Sequence, residues 1–278
     1  MHRVETITDL EDPRLAPFRK MTAQDDHLGR EIFIAEDPKV VRRFLASHHE
    51  VISVVVSPRW QPEFMTLIAD RPDPLTLLVV DQQVLEQITG YKMYQGVMAL
   101  GRIPAPISNE ELLNPPNRPA GAQPRLVLVA DGVTNAENVG SLIRNGIALG
   151  VDTFVSGENS AHPYLRRSVR ASMGNIFRLP YFRSTNLVET IRQMEAHGIA
   201  CLAAVPRPTA ITLWQTDFVR DIGVVIGAEG PGLRAEVIEA CSACVSIPMQ
   251  SGVDSLNVGS ATAVLLAESV RQRQVAEK

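Results

Sequence analysis

Six apolar runs in the second half of this chain alternate with stretches of helical periodicity, and that alternation narrows the folds open to it. The runs fall at 126–130, 153–156, 176–179, 199–204, 223–226 and 244–247. Helical patterns fall at 139–149, 187–197, 235–240 and 256–275. Gly150 and Gly198 stand where helices should stop, and Asn186 with Glu189 reads as a helix start. Strands that are apolar throughout, with amphipathic helices between them, require a mostly parallel sheet covered on both faces.

Upstream, residues 103–124 hold Pro104, Pro106, Pro115, Pro116, Pro119 and Pro124 together with Asn114, Asn117 and Gly121, a composition that resists regular structure. Within this linker only Ser108-Asn-Glu-Glu111 reads as a capping box, for one short helix through Leu113. Residues 1–102 form a smaller α/β pattern of their own. Asp37 caps a helix with Pro38 at its first position, and Val40, Val41, Phe44 and Leu45 share one helical face. A strand at 51–56, a helix at 63–69, a strand at 75–80, a helix capped by Asp81 and a closing strand at 96–100 complete it. The expected organisation is therefore 1–102, a linker over 103–124, and a second domain over 125–278.

Composition sets the outer limits. The 278 residues, 45% of them hydrophobic, supply enough apolar surface for two cores. No apolar span is long enough for a membrane helix, and residues 1–20 mix acids and bases without the apolar stretch of a secretory signal. Three cysteines argue against a disulfide framework and for a reducing, cytoplasmic setting. The net charge of −4 excludes a uniformly basic nucleic-acid binder but leaves room for a local basic face. Arg166, Arg167 and Arg170 offer one such patch, and Arg42 with Arg43 another. The plain structural account of either is a solvated helix face.

Three clusters of glycine and polar residues carry the chemistry. They are Asn138-Val-Gly-Ser-Leu-Ile-Arg144, Gly227-Ala-Glu-Gly-Pro-Gly-Leu233, and Ile247-Pro-Met followed by Ser255-Leu-Asn-Val-Gly259. Glycines let the backbone approach a ligand closely, and the polar side chains can bond to it. The second cluster lacks the Gly-Lys-Ser/Thr ending of a nucleotide P-loop and the spacing of the dinucleotide fingerprint. In this order the three clusters resemble those of the SpoU-type (TrmH-like) RNA ribose 2′-O-methyltransferases, of the SPOUT class. Residues 161–180, from Ala161-His-Pro-Tyr to Leu-Pro180, and 90–100, around Gly90-Tyr and Gln95-Gly-Val-Met-Ala-Leu100, extend the resemblance to nearly the whole chain.

The resemblance implies a knotted, mostly parallel C-terminal sheet with helices on both faces, an N-terminal RNA-gripping α/β domain, and a homodimer with its site at the subunit interface. It implies S-adenosylmethionine as cofactor, held through Gly227, Ile247 and Leu256, with Gly230 and Met249 lining the pocket. The knot comes from the resemblance alone, since threaded chains are rare. The catalytic group would comprise Asn138, Arg144, Glu229, Ser255 and Asn257. In the family this Asn orders the site and this Arg handles the target ribose; Arg144, Arg166, Arg167 and Arg170 are the expected RNA contacts.

Residue chemistry bears on these roles separately. Asn138 and Ser255 are each adequately explained as helix N-caps. Arg144 falls among Val139, Leu142, Ile143 and Ile147, and a cation in an apolar stripe needs a partner. A guanidinium stays protonated and has no acceptor, so Arg144 suits phosphate anchoring and alkoxide stabilisation better than proton removal. Glu229 is the one carboxylate in the three clusters; it either takes the proton or accepts backbone N–H bonds within the glycine loop. Cys241-Ser-Ala-Cys244 has CxxC spacing but no second pair or nearby His to complete a metal site, so no metal is expected. The small residues Gly259, Ser260, Ala261 and Ala263 suit a closely packed last helix.

Methylation of a ribose 2′-hydroxyl in ribosomal or transfer RNA is the leading reading. An antibiotic-resistance methyltransferase acting on 23S rRNA, a silent RNA-binding protein and a small-molecule methyltransferase are the alternatives. Two departures from the family pattern stand out: Asn135-Ala136 in place of Asp-Pro, and Glu36-Asp37 in place of an acid followed by Gly.

Overall fold

The computed structural model describes residues 2–19, 24–89, 95–116, 118, 119, 121–207 and 209–276. Its first unit gathers Met1–Ala105 with Tyr164–Phe177, so a segment from deep in the second half of the sequence joins the N-terminal part. The strands and helices of the N-terminal part are β1 (Arg3–Ile7), α1 (Gln24–Gly29), β2 (Ile32–Glu36), α2 (Pro38–Leu45), β3 (Val51–Val56), α3 (Gln61–Ile68), β4 (Thr76–Val80), α4 (Gln82–Thr89) and β5 (Val97–Arg102). The sheet runs in the order β1-β4-β3-β5-β2, with β5 antiparallel to both of its neighbours. Asp37 caps α2 through its Oδ1, which accepts the Lys39 N–H at 2.8 Å. Val40, Val41, Phe44 and Leu45 are buried as their spacing requires. Residues 90–94, part of the sequence resemblance, lie outside the described residues.

The second unit takes Pro106–Pro163 and Arg178–Lys278. It opens with α5 (Asn109–Leu113), where Ser108 and Glu111 form the reciprocal capping box. Then come β6 (Leu126–Asp131), α6 (Ala136–Ala148) and β7 (Thr153–Ser156). After α7 (Arg166–Ala171), which belongs to the first unit, follow β8 (Tyr181–Arg183), α8 (Leu187–Ala196), β9 (Ala200–Ala204), β10 (Ile211–Thr212), β11 (Ile222–Gly227), α9 (Ala235–Ala240), β12 (Ala243–Ser246) and α10 (Val258–Ala276). Seven strands in the order β10-β12-β9-β11-β6-β7-β8 are all parallel. Val127, Val129, Val155, Cys201, Ala203 and Val225 pack on one face beneath α5, α8 and α9. The alternate residues Leu128, Ala130, Phe154, Leu202 and Val224 are buried on the other face, where α6 and α10 lie. This is the α/β arrangement that the apolar alternation required.

One expected strand is displaced. Residues 176–179 do not enter the sheet; Asn175–Arg178 is a 3-10 turn. Ile176 and Phe177 are consecutive and both buried, and the Phe177 ring lies 5.0 Å from Phe44 and 5.5 Å from Phe33 in the first unit's core. The apolar run therefore fills a core instead of alternating across a sheet. The strand begins after Pro180, whose carbonyl accepts the Phe154 N–H at 3.0 Å.

Candidate active site

Parallel strands bring their C-terminal ends to one edge, and the loops leaving β9, β11 and β12 meet there. A cavity of about 350 Å³ opens between them. Its walls are Ala204, Val205 and Pro206 from the end of β9 onward; Ile226 to Gly230 and Gly232 from β11 and its loop; Val245, Ile247 and Met249 from β12 onward; and Ser255 to Val258, Ala261 and Leu265 before and along the first half of α10. Gly227, Gly230, Ile247, Met249 and Leu256 thus share one cavity with Glu229, Ser255 and Asn257. Among the described residues, Glu229 is the only ionisable side chain on these walls.

The glycine loop is folded back on itself. Ala228 and Gly232 pair as an antiparallel bridge, with the Gly232 N–H 3.1 Å from the Ala228 carbonyl. A Cβ at Gly227 would come within 2.4 Å of Gly232 C and Leu233 N, so any side chain there forces the loop open. The far end is fastened by Arg234. Its N–H and Nε bond to the two oxygens of buried Asp131 at 3.0 and 2.8 Å, and its Nη1 lies 2.8 Å from Glu158 Oε1. Burial favours the neutral form of Glu158, but bonds from its own backbone, Arg234 and the Leu187 N–H hold its carboxyl below the usual range. The sequence reading missed this latch. Its signal was an acid ending an apolar run and an arginine directly after a glycine loop.

Helix starts move two of the expected caps. α10 begins at Val258, so the cap is Asn257, not Ser255. Asn257 Oδ1 accepts the Gly259 N–H at 2.9 Å and its carbonyl accepts the Ala261 N–H at 2.9 Å. Its Nδ2 donates to Glu229 Oε1 at 2.6 Å, tying the second and third clusters together across the cavity. At α6 the cap is Asn135, whose Oδ1 accepts the N–H groups of Glu137 and Asn138 at 2.8 and 3.3 Å. Asn138 is then the third helical residue, and its side chain makes no hydrogen bond among the described residues.

The arginines divide sharply. Val139, Leu142, Ile143 and Gly146 form the buried face of α6. Arg144 stands about 100° beyond Ile143, outside that face. It is exposed, and among the described residues nothing bonds to its guanidinium, so the partner expected for a buried cation is not needed. Arg166 is the reverse case: it is buried, with Nε 2.9 Å from Glu36 Oε2 and Nη1 3.4 Å from the Phe18 carbonyl. A buried, paired cation offers no charge to a phosphate, which removes Arg166 from the expected basic patch. Arg167 and Arg170 are exposed, Arg170 lying 3.9 Å from Glu36 Oε1. Arg42 pairs with Glu63 at 2.5 Å, and Arg43 donates to the Met173 carbonyl at 2.6 Å. Neither Asn138 nor Arg144 lines the cavity.

The CxxC pair is built as packing. Cys241 Sγ donates to the Val237 carbonyl at 3.2 Å, and burial pushes its thiol up to about 12. Burial also raises the Cys201 thiol. Thiolates, which metals and disulfide exchange need, are disfavoured at Cys241 and Cys201.

The fold and cavity define a class, α/β proteins with a parallel sheet and a ligand cavity built at the C-terminal ends of its strands around a glycine loop. The SpoU rRNA Methylase family model matches residues 125–267. An uncharacterized tRNA/rRNA methyltransferase of Mycobacterium tuberculosis is 34% identical over 276 residues, which cover 96% of this chain and 92% of that protein. A 23S rRNA (guanosine-2′-O-)-methyltransferase of Ralstonia nicotianae is 33% identical over 201 residues, covering 72% of this chain and 78% of the relative. In fold, the AdoMet-bound rRNA methyltransferase of Sinorhizobium meliloti superposes with a TM-score of 0.81 at 22% identity, covering 96% of this chain and 98% of its own. This chain belongs to the SpoU rRNA methylase family, as the three clusters indicate.

Proposed function

We propose that this protein transfers a methyl group from S-adenosylmethionine to a ribose 2′-hydroxyl of ribosomal or transfer RNA. The observation that carries the reading is the cavity where Gly227, Gly230, Ile247, Met249 and Leu256 meet Glu229 and Asn257. Its residues suit the cofactor. Ala204, Val205, Ile226, Val245 and Leu265 give apolar walls for a purine and the methylenes of the methionyl arm, and the folded glycine loop presents backbone N–H and C=O groups at the rim. When bound, the cofactor supplies a methyl already activated by its sulfonium, so positioning does much of the remaining work.

Glu229 is the group able to accept the hydroxyl proton. Its Oε1 is engaged by Asn257, and its Oε2 carries no hydrogen bond among the described residues. Arg144 offers donors and no acceptor, and its unengaged guanidinium serves to anchor the neighbouring phosphate and stabilise the developing alkoxide. Asn138, third in α6, orders the same region, and Arg167 and Arg170 add RNA contacts. Within a single chain Arg144 and Asn138 lie off the cavity wall, an arrangement that suits a homodimer in which a second copy completes the site. The N-terminal unit is the RNA-gripping part, and the C-terminal segment is taken to thread the knot of the SPOUT class. Three free cysteines fit a reducing, cytoplasmic setting. No helix among the described residues is long and apolar enough to cross a membrane.

The test is transfer of radiolabelled methyl from S-adenosylmethionine to total RNA, comparing wild type with Arg144→Ala. Label in alkali-resistant dinucleotides, reduced on the order of a thousandfold in the variant, is the expected result for loss of one charge-stabilising donor. Cofactor binding without label on any RNA would redirect the reading to another substrate. Absence of cofactor binding would leave a silent RNA-binding protein.

A further inference from the structure

Asn145 is not one of the residues that the three clusters assign to the site, yet it joins two of them. It lies next to Arg144 on α6, and its Nδ2 donates to the Gly259 carbonyl in the first turn of α10 at 2.8 Å. The helices meet closely here. A Cβ on Gly259 would stand 3.3 Å from Ser141 Cβ and 3.2 Å from Asn257 Oδ1. Ser141 and Asn145 are four apart and lie on one face of α6, and helical spacing puts Asn138 on that face as well. The Gly259 N–H in turn bonds to Asn257, whose Nδ2 holds Glu229. A chain of contacts therefore runs from the Arg144 helix, through Asn145, Gly259 and Asn257, to the carboxylate on the cavity wall.

We infer that Asn145 is a positioning residue: it fixes how α6 seats on α10, and so both where α6 presents Arg144 and Asn138 and where the turn capped by Asn257 holds Glu229. The physical grounds are specific. Small residues on both helices, Ser141 and Gly259, give close contact but no preferred slide or rotation, because methylenes and backbone interlock weakly. One directional amide-to-carbonyl bond selects a single setting. Its carbonyl partner belongs to the turn capped by Asn257, so a shift of α6 is transmitted to the group that holds Glu229. Arg144 has no contact of its own to fix it, so its placement depends on the helix that carries it. Displacements of about 1 Å away from the reacting atoms can cost about a hundredfold in rate.

This inference rests on the proposed methyl transfer. The experiment measures methyl transfer and S-adenosylmethionine affinity for the full-length wild type, Asn145→Ala and Gly259→Ala. The second variant presses the helices apart from the opposite side with an added methyl group. The expected result is a fall in kcat of roughly tenfold to a hundredfold in both variants, the range that misplacement costs. The dissociation constant for the cofactor should stay within about threefold, because neither residue lines the cavity. An unchanged kcat in Asn145→Ala overturns the inference. So does a fall in kcat matched by an equal loss of cofactor affinity, which would make the bond an ordinary packing contact of the cavity wall. If the wild type itself transfers no methyl to RNA, the proposed function is what has failed, because that measurement involves no variant.

Discussion

Helices α6 and α7 each carry an arginine that the sequence marks for RNA, and the structure uses the two in opposite ways. Arg144 on α6 is exposed and unengaged among the described residues; Arg166 on α7 is buried against Glu36 with a 2.9 Å bond. The difference follows from what surrounds each. Arg144 leaves the apolar face of its helix, whereas Arg166 lies on the buried side of a short helix beside Ser168 and Val169, all three of them buried. A free cation is available to a ligand. A buried one, paired with a carboxylate and a carbonyl, holds its own segment in place. Charge in a sequence therefore marks a binding group only when the fold leaves it unspent.

The sharpest way to break this comparison is to delete both side chains in turn. Arg166→Ala leaves Glu36 buried with Arg170 3.9 Å away, and should cost about 3–5 kcal/mol of stability in the first unit. Arg144→Ala should change stability by less than about 0.5 kcal/mol while removing methyl transfer. Urea unfolding can report on each unit separately. Trp60 lies in the first unit and Trp214 in the second, and Trp214 is 61% exposed, so Trp214→Phe isolates the Trp60 signal at little cost. An Arg166→Ala protein of wild-type stability that has lost RNA affinity would exchange the two roles.

A second test sharpens the contrast at the cavity. Asn257 combines what the two arginines keep apart, since it caps α10 and also holds Glu229. Asn257→Ala should cost about 1 kcal/mol as a lost cap and lower turnover as well. Asn257→Asp keeps the cap but presents no donor to Glu229. It should keep the cap's stability, less what repulsion between the two carboxylates costs, while lowering turnover, and wild-type turnover in this variant would show that the cap alone matters. Ser255→Ala, by contrast, removes a side chain with no hydrogen bond among the described residues and should stay within about 0.5 kcal/mol of wild type.

These outcomes bear on what was legible in the chain. The parallel sheet was legible because β6, β9 and β11 are unbroken apolar runs, which leave a parallel interior as their one setting. Edge strands were not. β1 reads Arg-Val-Glu-Thr-Ile with only Ile7 buried, and β10 is two residues long. The cavity residues were legible through the glycine clusters, yet the caps slipped by two or three positions, from Asn138 to Asn135 and from Ser255 to Asn257. Both members of each pair can cap, and the choice is made by where the helix docks. Burial was the least legible property. Arg144 and Arg166 were each assigned the wrong surroundings, because a step of one residue, about 100° around the helix, separates a free cation from an enclosed one.

The smallest expected effect lies beside the buried pair. Asp37 follows Glu36 directly and adopts φ 91° and ψ 135°, a region that costs a non-glycine residue about 1–3 kcal/mol. The family pattern places Gly at this position. Asp37 persists because its carboxylate caps α2 and its N–H bonds to the Val97 carbonyl at 3.2 Å. Asp37→Gly keeps that backbone bond, removes the strain, and forfeits only a few tenths of a kcal/mol as a cap. Added freedom in the unfolded chain takes back about 0.4–1 kcal/mol. The net expectation is a gain of about 1 kcal/mol in the first unit, read as a higher urea midpoint for Trp60 at an unchanged slope. Arg166→Ala should lose as much when combined with Asp37→Gly as it does alone, because relieving the backbone leaves the ion pair untouched. A smaller loss in the double variant would mean that the strained turn and the buried pair are one device, with the strain at Asp37 holding Glu36 where Arg166 needs it.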